Sequence, residues 1–130
     1  MWGKPFAQVV VRPTRHTFSF MQEFTTFTLS RFPRSFAKQL ALLGSKSGRD
    51  GDKIAESSIH PCQSSVVGAP SFEESELTIE CQTMYRDDPN PEQFFAPFIG
   101  PLYNNDYHRV YFGEIVNIVG KKEFLIAGSK

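Results

Sequence analysis

Residues 76–85 read Glu76-Leu77-Thr78-Ile79-Glu80-Cys81-Gln82-Thr83-Met84-Tyr85, the most regular alternation in the chain. Leu77, Ile79, Cys81, Thr83 and Tyr85 fall on one face and Thr78, Glu80 and Gln82 on the other. That two-residue period predicts a half-buried strand, apolar face inward and polar face to solvent. Three further strands are expected around it. Pro5 to Arg12 carries three consecutive valines between prolines at 5 and 13, the composition of a short buried strand. Thr25 to Ser30 sets Phe27 and Leu29 against Thr26, Thr28 and Ser30. Tyr107 to Val119 is long and β-rich, with Gly113 marking a bulge or a close approach.

Short helices fill the gaps. The spacing of Phe18, Met21 and Gln22 predicts a helix after Pro13, with Thr14 as its N-cap. Ser35 to Leu43 places Phe36, Leu40 and Leu43 on one stripe, with Gly44 as the residue that ends it. Asp52 to Ser57 has room for one or two turns, and Pro89 to Ala96 reads as a short helix capped by Asp88. Ile59 to Ser71 reads as an irregular connection, Asn104-Asn105-Asp106 as a turn, and Phe124-Leu125-Ile126 as a last apolar patch in the tail. Strands interleaved with short helices predict a mainly β, α+β domain on a small antiparallel sheet or barrel. Four strands are few for a closed barrel.

Composition narrows the function. The 130 residues fit one domain, 1–130, with a core of its own. Lys+Arg and Asp+Glu are 14 each, which argues against a nucleic-acid or anionic-membrane binder. No apolar run approaches the ~20 residues of a membrane span, and the start lacks the charged and apolar regions of a signal peptide; a cytoplasmic domain is expected. Cys62 and Cys81 are too few for a disulfide framework or a four-cysteine zinc site, and the three histidines show no metal-ligand spacing, so no metal is expected. Phe supplies 13 of the aromatic residues, against 4 Tyr and 1 Trp, a bias toward dry contacts in a core or a subunit interface.

The chemistry concentrates in Arg12-Pro13-Thr14-Arg15-His16-Thr17. A strand ends there and a helix begins, so unpaired backbone N–H groups point outward beside two guanidinium groups and two hydroxyls, a donor set suited to phosphate. The same residues would also serve as a plain helix start with solvated arginines. Ser45 to Lys53 adds Lys46, Arg49 and Lys53 among serines and glycines, without the spacing of a triphosphate-binding loop; a mobile surface connection has the same composition. His108 heads the last strand, placed either to hydrogen-bond a bound ring or as a surface residue. No order of Ser, His, Asp or Cys supplies a strong nucleophile. An anion site without acid, base or nucleophile fits a protein whose cofactor performs the reaction.

Five segments carry a resemblance: Trp2-Gly3-Lys4-Pro5, Val11-Arg12-Pro13-Thr14-Arg15-His16-Thr17, Phe27-Thr28-Leu29-Ser30, the loop Leu43 to Lys53, and Asp106 to Val116. In this order and spacing the chain resembles the flavin reductase-like, FMN-binding split-barrel proteins, in particular the flavoredoxin branch. The resemblance implies a split β-barrel of antiparallel strands with short peripheral helices, a homodimer, and FMN near the subunit interface. It assigns Arg12, Pro13, Thr14, Arg15 and Thr17 to the cofactor, mainly near its phosphate, with Ser30, Lys46, Ser47 and Arg49 as further lining. It places His108 near the flavin or nicotinamide as the candidate catalytic residue. The implied reaction is hydride transfer from NADH or NADPH to flavin; electron carriage by bound FMN to a redox protein partner, or a relative that no longer binds flavin, are the alternatives. Family members normally have early barrel strands and an Asn-x-Met-Thr-like run before the Trp-Gly-Lys-Pro stretch. The expectation is therefore an N-terminally truncated barrel, through a late start, a gene fragment or a shortened protein. A missing strand would leave an unpaired edge.

Overall fold

The structure is a computed structural model that describes residues 1–124. In chain order it holds β1 (Phe6–Val11), α1 (His16–Glu23), β2 (Thr26–Arg31), α2 (Ala37–Ser45), α3 (Lys53–Ser57), β3 (Pro61–Cys62), β4 (Ser71–Phe72), β5 (Leu77–Asp87), α4 (Ile99–Tyr103) and β6 (Arg109–Gly120). Single 3-10 turns precede α2 (Arg34–Phe36), follow it (Gly48–Asp50), lead toward α4 (Pro91–Gln93) and follow β6 (Lys122–Phe124). The four expected strands are β1, β2, β5 and β6, and they form one antiparallel sheet in the order β1-β6-β5-β2. Of the tail patch, Phe124 packs its ring under the Arg31 guanidinium, 4.7 Å away; residues 125 and 126 lie outside the described residues. No described helix is long and apolar enough to cross a membrane.

β6 is the spine. Its first half pairs with β1, from Val11 opposite Arg109 to Phe6 opposite Glu114. Its whole length pairs with β5. The β5–β6 register slips twice. Cys81 faces Ile115 but Glu80 faces Asn117, which leaves Val116 as an extra residue; Thr83 faces Gly113 but Tyr85 faces Phe112, which leaves Met84 as another. Each bulge adds local twist and bends its strand, and the sheet curls into a half-barrel. Gly113 is a close approach: a Cβ there would lie 2.5 Å from Phe27 Cζ and 2.9 Å from Cys81 Cβ. Phe27, Cys81, Tyr111, Ile59 and Val67 form the buried apolar set.

The alternation of 76–85 misassigns its polar face. Glu80 is wholly buried and Thr78 nearly so, because the 59–71 segment folds across that face. Glu80 Oε1 accepts from the Val66 and Val67 amides at 2.8 and 3.0 Å, and Oε2 accepts from Asn117 Nδ2 at 2.6 Å. Burial alone would raise its pKa; the amides of Val66 and Val67 and the Asn117 carboxamide outweigh it and hold the carboxyl below its ordinary value. The same segment, expected to be irregular, contributes β3 and the first residue of β4 to a small antiparallel pair.

Other expectations change locally. β1 is half-buried rather than buried, with Val10 49% exposed, because it forms one edge of the sheet. Arg15, not Thr14, is the N-cap of α1, and Thr14 spends its hydroxyl on Asp106 instead. Gly44 lies within α2, which runs on until the Lys46 amide reaches Leu42 O, and Leu40 faces solvent. Residues 89–96 make only the turn Pro91–Gln93, capped by Asn90; Asp88 is engaged instead in a two-pronged pair with Arg109 at 2.8 and 2.9 Å. The helix α4 had no counterpart in the periodicity. Phe-rich composition does not translate into a Phe-filled core: Phe20, Phe24, Phe95 and Phe98 are more than half exposed.

Candidate functional site

The end of β1, the start of α1 and the loop between α2 and α3 enclose a cavity of about 750 Å³, within the range of ligand pockets. Its walls meet because Gly48 has no side chain: a Cβ there would come within 2.6 Å of the His16 ring. Arg49 ties the two walls, donating from Nη1 to Thr14 O at 2.6 Å. The cavity brings together Arg12, Thr14, Arg15, Thr17, Lys46, Ser47, Arg49 and His108. It does not take in Ser30, which lies on β2 at the other edge of the sheet, its hydroxyl buried without a hydrogen-bond partner among the described residues. Nor does it take in Pro13, which faces a neighbouring depression with Phe18 and Arg109.

The cations gathered here are not equivalent. Arg12 Nε donates to Asp106 Oδ2 at 2.9 Å, and Thr14 donates to Asp106 through its hydroxyl at 2.7 Å and its amide at 3.3 Å. The Thr14 hydroxyl does most to hold the Asp106 carboxyl below its ordinary pKa, aided by the Thr14 amide and the Arg12 charge against partial burial. Lys46 pairs with Glu56 at 2.6 Å. Lys53 is structural, donating to Leu43 O and Lys46 O at 2.9 and 3.1 Å, where it closes the carbonyl end of α2. Arg15 makes no side-chain hydrogen bond or ion pair among the described residues. The His16 and Thr17 amides in the first turn of α1 are likewise without a backbone partner there. Asp50 is the one carboxylate on the cavity wall among the described residues. His108 sits with its ring 5.4 Å from that of Tyr103, edge to face.

Three residues to which the sequence reading assigned no role at the site help build it. Gly48 signals itself only as one more loop glycine. Tyr103 sits in the unforeseen α4, its ring 5.3 Å from the Arg12 guanidinium. Asp106 was read as turn chemistry and is instead the anchor of Arg12 and Thr14. Away from the cavity, His60, Glu73 and Glu74 gather at the open end of the β3–β4 pair with ligand atoms within 4.8 Å of one another. There the His60–Glu74 hydrogen bond of 2.7 Å accounts for the grouping and raises the His60 pKa.

The family model for the flavin reductase-like domain matches residues 4–126, nearly the whole chain. The chain belongs to the flavin reductase-like family. Solved structures agree on the split-barrel fold. Flavoredoxin from Methanosarcina acetivorans superposes with a TM-score of 0.74 at 19% identity, over 97% of this chain and 58% of its own. The FMN-binding protein of Thermus thermophilus, solved with bound p-hydroxybenzaldehyde, gives 0.70 at 19% identity, over 92% of this chain and 57% of its own. A Streptomyces globisporus NADH:FAD oxidoreductase gives 0.68 at 13% identity, over 93% of this chain and 61% of its own. This chain thus spans a little over half the length of these proteins. Comparison with curated protein sequences finds no match. Family membership links the chain to flavin redox chemistry. The half-barrel sheet and peripheral helices meet the split-barrel expectation.

Proposed function

We propose that residues 1–130 act as one FMN-binding unit and that, as a homodimer, it is a flavin-dependent oxidoreductase taking hydride from NADH or NADPH. The observation that carries this reading is the cavity, where a guanidinium and first-turn amides without a partner among the described residues converge with a glycine-punctuated loop. That donor set fits a phosphate monoester. Arg15, Thr17 and the α1 amides would hold the phosphate, Ser47 and Arg49 would close over it, and His108 would face the ring end. Bound flavin supplies the hydride-accepting ring. The chain's contribution is to bind and orient it and to surround it with positive charge that favours a reduced, anionic product. The exposed apolar residues Phe95, Phe98 and Leu102 are consistent with cover by a second copy.

Fluorescence titration of FMN against a sample of known oligomeric state tests the binding. Saturable quenching by a dimer is expected, and a flat titration of folded protein overturns the reading. Affinity falls with ionic strength without vanishing, since amides are screened less than exposed arginines. The likeness to a flavoredoxin favours a second reading, electron carriage without nicotinamide oxidation. NADH consumption with added free flavin supports the reductase; flavin reduction only through a protein partner supports the carrier.

A further inference from the structure

Asp106 collects three donors, and all three come from the segment that supplies the cavity's anion-binding residues. Arg12 and Thr14 both reach it, so the strand end and the residue before the α1 cap are pinned to one carboxylate. The Arg12 guanidinium is also held near the Tyr103 ring. Asp106 is delivered by a backbone device that sequence allows at few residues: Asn104 and Asn105 both take positive φ, 46° and 67°, and the Asp106 amide closes the turn on Tyr103 O at 2.8 Å. The Arg15 amide in turn bonds Arg12 O at 3.0 Å, so a fixed Arg12 fixes the turn that presents Arg15.

An anion reaching Arg12 finds Nε already taken by a carboxylate at 2.9 Å and meets that carboxylate's negative charge. One reaching Arg15 displaces no protein partner among the described residues. We infer that Asp106 is a positioning residue that divides the work of the two arginines. It withholds Arg12 from the ligand as the anchor of the Arg12–Arg15 turn and leaves Arg15 as the guanidinium that meets the phosphate. This rests on the phosphate-binding reading of the cavity and adds to it a prediction that a plain cluster of cations would not make.

The test is FMN affinity by fluorescence quenching at several salt concentrations, for wild type, Arg15→Ala, Asp106→Asn and the milder Thr14→Val. Arg15→Ala weakens binding by about tenfold or more, as expected for a lost charged hydrogen bond, and flattens the salt dependence. Asp106→Asn weakens binding severalfold while steepening the salt dependence, because the turn loosens and the Arg12 charge becomes free to face the ligand. Thr14→Val keeps the Arg12–Asp106 pair, so it weakens binding by less and leaves the salt slope as in wild type; a steeper slope in this variant overturns the division even where Asp106→Asn does not fold. In Asp106→Asn, weaker binding with an unchanged salt slope makes Asp106 merely structural and overturns the division, as does tighter binding. An Arg15→Ala variant that binds as wild type also overturns it. If wild type does not bind FMN, inorganic phosphate titrated against the arginine Nε–H NMR signals separates the two claims. A response at Arg15 but not Arg12 keeps the division and discards the flavin reading; an equal response at both, or none at either, discards the division too.

Discussion

Glu80→Gln isolates the charge of the buried carboxylate at nearly constant shape. Glu80 is fully buried and accepts three hydrogen bonds, two from backbone amides and one from Asn117. With glutamine, the amide oxygen keeps the Val66 and Val67 donors, and Asn117 can turn its carboxamide to accept from the new NH2 group. All three bonds to a charged acceptor then become neutral ones, at a difference of about 1 kcal/mol each, so about 3 kcal/mol at pH 7. With a urea m-value of roughly 1–3 kcal/mol/M, the unfolding midpoint falls by about 1–3 M. The folded-state pKa of Glu80 is depressed, so its contribution is complete above the unfolded carboxylate value, about 4.3, and is lost as pH falls through the folded value. Protonated Glu80 offers the same donor and acceptor as glutamine. The gap between wild type and variant therefore narrows below about pH 4, having been constant near neutrality. Urea unfolding monitored by circular dichroism across pH 3–7 checks this. A difference below about 0.5 kcal/mol at pH 7, or a larger one that persists unchanged to pH 3, would refute the three-donor account.

Two further outcomes follow from packing. Gly113→Ala drives a methyl into Phe27 and Cys81, both buried and unable to swing into open space, at a cost of about 3 kcal/mol. Phe27→Leu in the same chain should recover part of that in a double-mutant cycle, and additive losses would show the contact to be unimportant. Cys81 is buried, with its pKa raised by that burial, while Cys62 is partly exposed. A thiol reagent should therefore label one cysteine quickly and the second only on unfolding; rapid labelling of both would contradict the β5–β6 packing.

What was legible in the chain was local and repetitive. Four strands announced themselves through β-branched runs and alternation, since each is long enough for its side-chain period to show. The Arg12–Thr17 and Ser45–Lys53 segments stood out because donors cluster there regardless of what they touch. Periodicity went astray where a distant segment decides the environment. Glu80 alternates like a solvent-facing residue, and only the 59–71 segment crossing β5 gives it three donors and buries it. Ser30 matched a family motif, but its strand lies at the far edge of the sheet from the cavity. Asp88 was positioned to cap a helix and instead meets Arg109, twenty-one residues on. The sequence alone thus determined the strands, their antiparallel class, and which residues had the chemistry to hold an anion. The tertiary structure decided which of those cations is left free. Arg12, Lys46 and Lys53 each find a partner from another turn or element, and Arg15 finds none among the described residues. The choice is tertiary because an ion pair depends on where two chain segments cross, and neither segment carries that information alone.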